Sequence, residues 1–153
     1  MHSEDAGHAS PCGARVSVPT RPQSQAEAGV TWAVIGAGPS GLTALKNLRQ
    51  AGIDAECLER EDDIGGNWYY GSGASSVFAS TRLISSKSLT EYIDFPMPRD
   101  WPAYPDHRQC LAYLRGYATH FNLRDAIRTH STVERIEPAA GGSGWIVHVA
   151  GRE

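Results

Sequence analysis

Apolar positions along this chain come in two patterns, unbroken runs and stripes three or four residues apart, and their order sketches a fold. The run Thr31-Trp32-Ala33-Val34-Ile35 predicts a buried strand of the parallel type. Leu42, Leu45 and Leu48 then lie on one face of a helix, with Pro39 in its first turn and Gly52 at its end. Asp54-Ala55-Glu56-Cys57-Leu58-Glu59 predicts a second strand, so the unit is strand–helix–strand with parallel strands and a right-handed crossover. Residues 61–105 lose this periodicity to Gly, Ser, Pro and aromatics, with at most a short helix at 88–92. A segment of that length inside a compact domain is usually functional, and we expect it to wrap a ligand. Asp106 and Gln109 form a capping box that starts a second helix, running to about Phe121, with Leu111, Leu114, Ala118 and Phe121 on one face. Two or three strands follow, at 126–129, 133–137 and 145–149, the last two joined by a turn through Gly141-Gly142-Ser143-Gly144. The expected class is α/β: a Rossmann-like βαβ unit with a parallel sheet, a long loop, a second helix and a C-terminal antiparallel strand pair.

Composition narrows this picture. Residues 1–30 are rich in Ala, Gly, Ser, Pro and Gln without apolar periodicity, and read as a mobile, disordered arm, leaving 31–153 as the folded domain. No stretch resembles a secretory signal or approaches the roughly 20 apolar residues of a membrane span, so the expectation is a cytoplasmic protein with no membrane span. Cys12, Cys57 and Cys110 are unclustered, which favours reduced thiols over a disulfide framework, with Cys57 in the strand core. The net charge of −3 and the scattered Arg82, Lys87, Arg99, Arg108, Arg115 and Arg124 give no nucleic-acid footprint. His107, His120, His130 and His148 lack metal-ligand spacing, so no metal is expected and surface or cap roles are assigned to all four.

Chemistry enters at Gly36-Ala37-Gly38-Pro39-Ser40-Gly41, between the first strand and its helix. Gly36 allows the tight turn, Gly38 lets the backbone approach a pyrophosphate, and Gly41 lets helix and strand pack closely. The helix N-terminus then offers unpaired N–H groups to an anion. Glu59 follows roughly 20 residues later, where a carboxylate at a strand end accepts from ribose hydroxyls. Arg60 can face a phosphate or lie in solvent. In Gly65-Gly66-Asn67-Trp68 the glycines let the chain pass close to a bulky planar ligand, and Trp68 can pack on an apolar ring system or serve as a core residue.

Four segments in succession carry a family resemblance: residues 36–41; Cys57-Leu58-Glu59-Arg60-Glu61-Asp62-Asp63-Ile64-Gly65-Gly66-Asn67-Trp68; Asp94-Phe95-Pro96-Met97-Pro98; and Tyr113-Leu114-Arg115-Gly116-Tyr117-Ala118-Thr119-His120-Phe121-Asn122-Leu123. Over residues 31–149 the chain resembles the N-terminal part of the flavin-containing monooxygenases. The resemblance implies FAD as the first cofactor. It implies reduction by NADPH, formation of a C4a-hydroperoxyflavin with O2, and oxygen transfer to a soft nucleophile such as an amine nitrogen or sulfide sulfur. It assigns Gly36, Gly38, Pro39, Ser40 and Gly41 to the pyrophosphate and Glu59 to the adenosine ribose, with Arg60 kept as a cofactor-binding candidate beside it. Gly66, Asn67 and Trp68 fall to the flavin half, and Val133 meets adenine through its backbone.

Departures from the family pattern set further expectations. Where the family often carries an asparagine before a small-small-Lys run, this chain has Ile84-Ser85-Ser86-Lys87. Either Ser85 or Ser86 is the candidate catalytic substitute, or peroxide stabilisation differs and permits uncoupled hydrogen peroxide release; the bland alternative is serines that solvate a loop. The NADPH-binding second glycine fingerprint would follow the last strand, and none occurs up to Glu153. The expectation is an incomplete two-dinucleotide-binding fold, a partial FAD-binding domain that binds FAD weakly or not at all and does not turn over alone. A Baeyer–Villiger monooxygenase is the rival enzyme, disfavoured by Tyr69-Tyr70-Gly71, where those enzymes usually show tyrosine-proline-glycine. A non-catalytic nucleotide-binding module is the rival of another class.

Overall fold

The computed structural model describes residues 32–73, 75–142 and 144–150. The expected arm at 1–30 lies outside the described residues. Strand β1 (Trp32–Ile35) leads through the glycine turn into helix α1 (Pro39–Gln50), which returns to β2 (Ala55–Leu58). β1 and β2 are parallel, with Trp32 opposite Ala55 and Ile35 opposite Leu58. β3 (Ile127–Arg128) joins the far side of β2, also parallel, so the sheet order is β1-β2-β3. Two 3₁₀ turns that the periodicity did not signal, Gly66–Trp68 and Arg124–Ala126, follow β2 and precede β3. β4 (Val133–Pro138) and β5 (Trp145–Val149) form a separate antiparallel pair. Their connection carries positive φ at Gly141, Gly142 and Gly144.

The leucine stripe drives α1 into the core: Leu42 and Leu45 are fully buried and Leu48 packs beside them. β1, at the sheet edge, is less covered than its apolar run predicts, with Trp32 and Ile35 about half exposed. Cys57 is fully buried in β2, and burial together with the nearby charge of Glu59 pushes its thiol up to about 12. Burial, with Asp106 adding to it, likewise pushes Cys110 up to about 11. Both are neutral, shielded thiols at physiological pH.

The long segment 61–105 packs on the core through Ile64, Trp68, Leu83, Met97 and Trp101. It contains one short helix, α2 (Lys87–Thr90), and then docks Tyr92 and Phe95 on α3 (His107–His120). Tyr117, fully buried, stacks at 4.7 Å on Tyr92 and on Phe121. The Tyr92 hydroxyl donates to the Pro39 carbonyl (3.0 Å), tying this aromatic layer to the first turn of α1.

The capping box at the start of α3 is complete: Asp106 accepts from the Arg108 and Gln109 amides, and the Gln109 side chain accepts from the Asp106 amide. The Gln109 amide, then the Arg108 amide, outweigh a modest burial penalty and hold the Asp106 carboxyl below the usual carboxylate range. Its folded pKa being the lower, the stability Asp106 contributes is present above its unfolded value of about 3.9 and is lost as pH falls through the folded one. Asp106→Ala is expected to cost about 1 kcal/mol at neutral pH, read by urea unfolding. Asp106→Asn keeps an acceptor but no titrating group, and flattens the acid limb. One histidine assignment needs correction: His107, expected at the surface or as a cap, is 3% exposed and stacks on Tyr70 at 4.8 Å. Its place one residue past the cap turns it inward, under a loop whose docking the local sequence does not encode.

Candidate functional site

At the carboxyl ends of β1 and β2 lies a cleft of about 350 Å³. Gly36, Gly38, Glu59, Arg60, Gly66, Asn67 and Val133 all line it, although they come from four separate segments of the chain. Ile35, Leu58, Glu61, Ser131 and Thr132 complete the lining, and none of these five had been singled out in the sequence. Ile35 and Leu58 lie there as strand ends. The buried Ser131 serves through its backbone, its amide donating to the Glu59 carbonyl at 2.7 Å, so no residue-type signal marks it.

Two glycine strips make one wall. The Gly65 amide donates to the Ala37 carbonyl (3.0 Å), joining the turn after β2 to the turn after β1. Gly66 has φ +54°, and a Cβ there would stand 2.9 Å from the Gly38 Cα. Backbone therefore faces backbone, a surface a large planar or phosphorylated ligand can approach without meeting side chains. Gly41 serves the interior, since a Cβ on it would land 1.8 Å from the Gly36 carbonyl oxygen. Helix α1 has Gly38 as its N-cap, with no side-chain cap hydrogen bond and no acidic residue in its first turn. Its N-terminal partial positive charge is left to whatever enters the cleft.

Glu59 is 4% exposed, yet both its oxygens are held: Oε2 accepts from the Ala37 amide (2.6 Å) and Oε1 from the Glu61 amide (3.0 Å). Each oxygen keeps lone-pair capacity for a further donor. The carboxylate is thus fixed between the glycine turn and the β2 end, as a hydroxyl-accepting group must be to discriminate. Arg60 is largely exposed at the cleft and pairs with Glu61 at 3.5 Å.

Not every candidate residue is free to serve the cleft. Pro39, Ser40 and Gly41 form the first turn of α1 without lining the cleft. Asn67 lines the cleft, but its Oδ1 accepts from the Ser76 amide (2.7 Å), so the side chain also holds the following loop. Trp68 does not line the cleft and packs against the hydrophobic core. Ser85 shares a hydrogen bond with Thr90 (2.7 Å) and Ser86 with Ser88 (3.1 Å), and neither lines the cleft. Ile84 is 99% exposed. Lys87 donates to the carbonyls of Pro98, Arg99 and Trp101, fastening that loop.

A parallel strand–helix–strand unit with a glycine-built turn, an open helix N-terminus and a fixed carboxylate beside it defines a Rossmann-like dinucleotide-binding fold. Sequence comparison carries this one step further: residues 30–147 match the flavin-binding monooxygenase-like family, and the chain belongs to it. Flavin-containing monooxygenase 1 of Homo sapiens is 39% identical over 105 residues, 66% of this chain and 20% of that protein. The chain thus spans about a fifth of that relative's length. Among solved structures, S-allyl-L-cysteine S-oxygenase from Allium sativum superposes with a TM-score of 0.72 at 25% identity, covering 80% of this chain and 32% of that one. OTEMO, solved in complex with FAD and NADP, shares the fold at a TM-score of 0.70 and 22% identity, over 82% of this chain and 23% of that one. Among the described residues no helix is long and apolar enough to cross a membrane.

Proposed function

We propose that the cleft receives the adenosine–pyrophosphate part of FAD, and that the chain is the FAD-binding segment of an NADPH-dependent monooxygenase acting on an amine nitrogen or sulfide sulfur. The observation that carries this reading is the juxtaposition of Gly38 and Gly66 backbone with a Glu59 carboxylate already held by two amides. Gly36, Gly38 and Gly66, with the start of α1, hold the pyrophosphate. Glu59 accepts from ribose hydroxyls, Val133 and Arg60 border the adenine, and Asn67 extends the wall toward the flavin half. Bound FAD supplies electron transfer from NADPH and activation of O2, with a small-molecule substrate taking one oxygen atom. The protein's part is to bind and orient the cofactor, with the positive end of α1 set toward the anionic bridge. That one solved structure of this fold is an S-oxygenase supports sulfur as one acceptor class.

The cleft is at the lower end of the about 300–1,000 Å³ common to ligand sites, and its polar groups converge on ribose and pyrophosphate chemistry. ADP and FAD are therefore expected to bind this chain weakly and with dissociation constants equal to within about threefold, because the flavin half adds little contact energy. Competition between the two, followed by flavin fluorescence, checks this. Tight stoichiometric FAD binding with no ADP competition would assign the affinity to the flavin half and defeat the reading. The same chain is expected to show no NADPH oxidation above background when FAD is added.

A further inference from the structure

Between Glu59 and the Gly65-Gly66 pair the chain turns through Glu61, Asp62, Asp63 and Ile64. Ile64, fully buried, anchors this turn from beneath. From the side it is held at one carboxylate. Asp63 Oδ2 accepts from Arg115 of α3, at 2.8 Å from Nε and 2.7 Å from Nη2. Its Oδ1 accepts from Arg124 Nη1 (2.8 Å), in the 3₁₀ turn before β3, and from the Ile64 amide (2.8 Å). The two arginines lie 52 and 61 residues along the chain from Asp63, so one side chain joins three segments. Asp62, next to it, takes another direction and accepts from the Tyr69 hydroxyl. Partial burial opposes ionisation of Asp63, but Arg124, the Ile64 amide and Arg115 outweigh it and hold its carboxyl below the usual range.

Two residues beyond this clamp stand the groups that close the cleft wall: the Gly65 amide on the Ala37 carbonyl, and Gly66 against Gly38. We propose that Asp63 is a positioning residue for the dinucleotide cleft: gripped by Arg115 and Arg124, it presses Gly65-Gly66 onto the turn after β1 and so sets the width into which a pyrophosphate fits. The inference rests on the reading of the cleft as an FAD site and adds what holds that site in shape. Both arginines are close to half exposed, so the clamp contributes little to global stability. Its forked, charge-assisted geometry acts instead on local alignment, which Asn cannot reproduce.

The test measures amide hydrogen exchange of Gly65 in the ligand-free 153-residue chain, beside ADP titration followed by amide shifts. Asp63→Asn is expected to speed Gly65 exchange and to weaken ADP about five- to tenfold, with the melting temperature nearly unchanged. Arg115→Gln does the same alone, but adds no further loss in the Asp63→Asn background, because the partner is already gone. Asp62→Asn changes neither readout. Asp63→Asn that leaves Gly65 exchange unaltered, or effects of Asp63→Asn and Arg115→Gln that simply add, would overturn the proposal. A wild-type chain that shows no ADP shifts at millimolar concentration would overturn the site reading and, with it, the role in binding; altered Gly65 exchange in the same experiment identifies that as the site's failure and not the clamp's.

Discussion

Gly41→Ala is expected to destabilise the chain by about 3 kcal/mol or more, the upper end of what overpacking costs. The new Cβ would fall 1.8 Å from the Gly36 carbonyl oxygen and 3.0 Å from its carbonyl carbon. Neither atom belongs to a side chain that can swing aside. Gly36 holds φ +90° and donates its amide to the Leu58 carbonyl (2.8 Å), the last rung between the first two strands. Moving it therefore unpicks the sheet end, and moving α1 outward instead empties the space filled by Leu42 and Leu45. Against a typical stability of about 5–15 kcal/mol the loss is large. Urea unfolding followed by circular dichroism measures it. Gly73→Ala, whose Cβ meets nothing within 4 Å, is the control and is expected to stay within about 0.5 kcal/mol of the parent. Equal midpoints for the two variants would show that the turn is not packed as described.

Glu59→Gln is expected to weaken both fold and ligand binding. In the parent, two amides point at two carboxylate oxygens in a buried position. An amide side chain offers one acceptor oxygen and one NH2 group, so either the Ala37 or the Glu61 N–H faces a donor. An unsatisfied buried donor costs about 1–3 kcal/mol. For ADP the loss is also electronic, since a hydrogen bond from a hydroxyl to a carboxylate is stronger than one to a neutral amide. A difference of about 1.4 kcal/mol is tenfold in affinity, so the variant is expected to bind ADP about ten- to a hundredfold more weakly. Isothermal titration of ADP and urea unfolding of the same variant separate the two effects. Unaltered ADP affinity would remove Glu59 from the ribose.

Some of this architecture is written locally and some is not. The helices are legible because their information lies within one or two turns: the spacing of Leu42, Leu45 and Leu48, and the reciprocal Asp106–Gln109 cap. The strand–helix–strand unit and the β4–β5 pair are legible because apolar runs and glycine turns separate them cleanly. The glycines near the cleft stand out in the sequence because their backbone conformation or crowding demands that residue type, as at Gly41 and Gly66. What the sequence hides is long-range. The Tyr92 hydroxyl reaches a carbonyl 53 residues away, and that contact, not any local pattern, ties the middle of the chain to the first turn of α1. Trp68 packs against the core although its glycine neighbours suggest a ligand, and His107 is buried by a loop docked over it. Ser131 and Thr132 enter the cleft by position alone, which leaves no mark on residue type.

Amide shift mapping of the isotope-labelled chain during ADP addition locates the bound nucleotide residue by residue. Saturable shifts are expected at Gly36, Ala37, Gly38, Glu61, Gly66 and Val133, with Ser85 and Ser86 unmoved. Saturable shifts confined to other surfaces, or none at millimolar ADP, would contradict an adenosine–pyrophosphate site in this cleft.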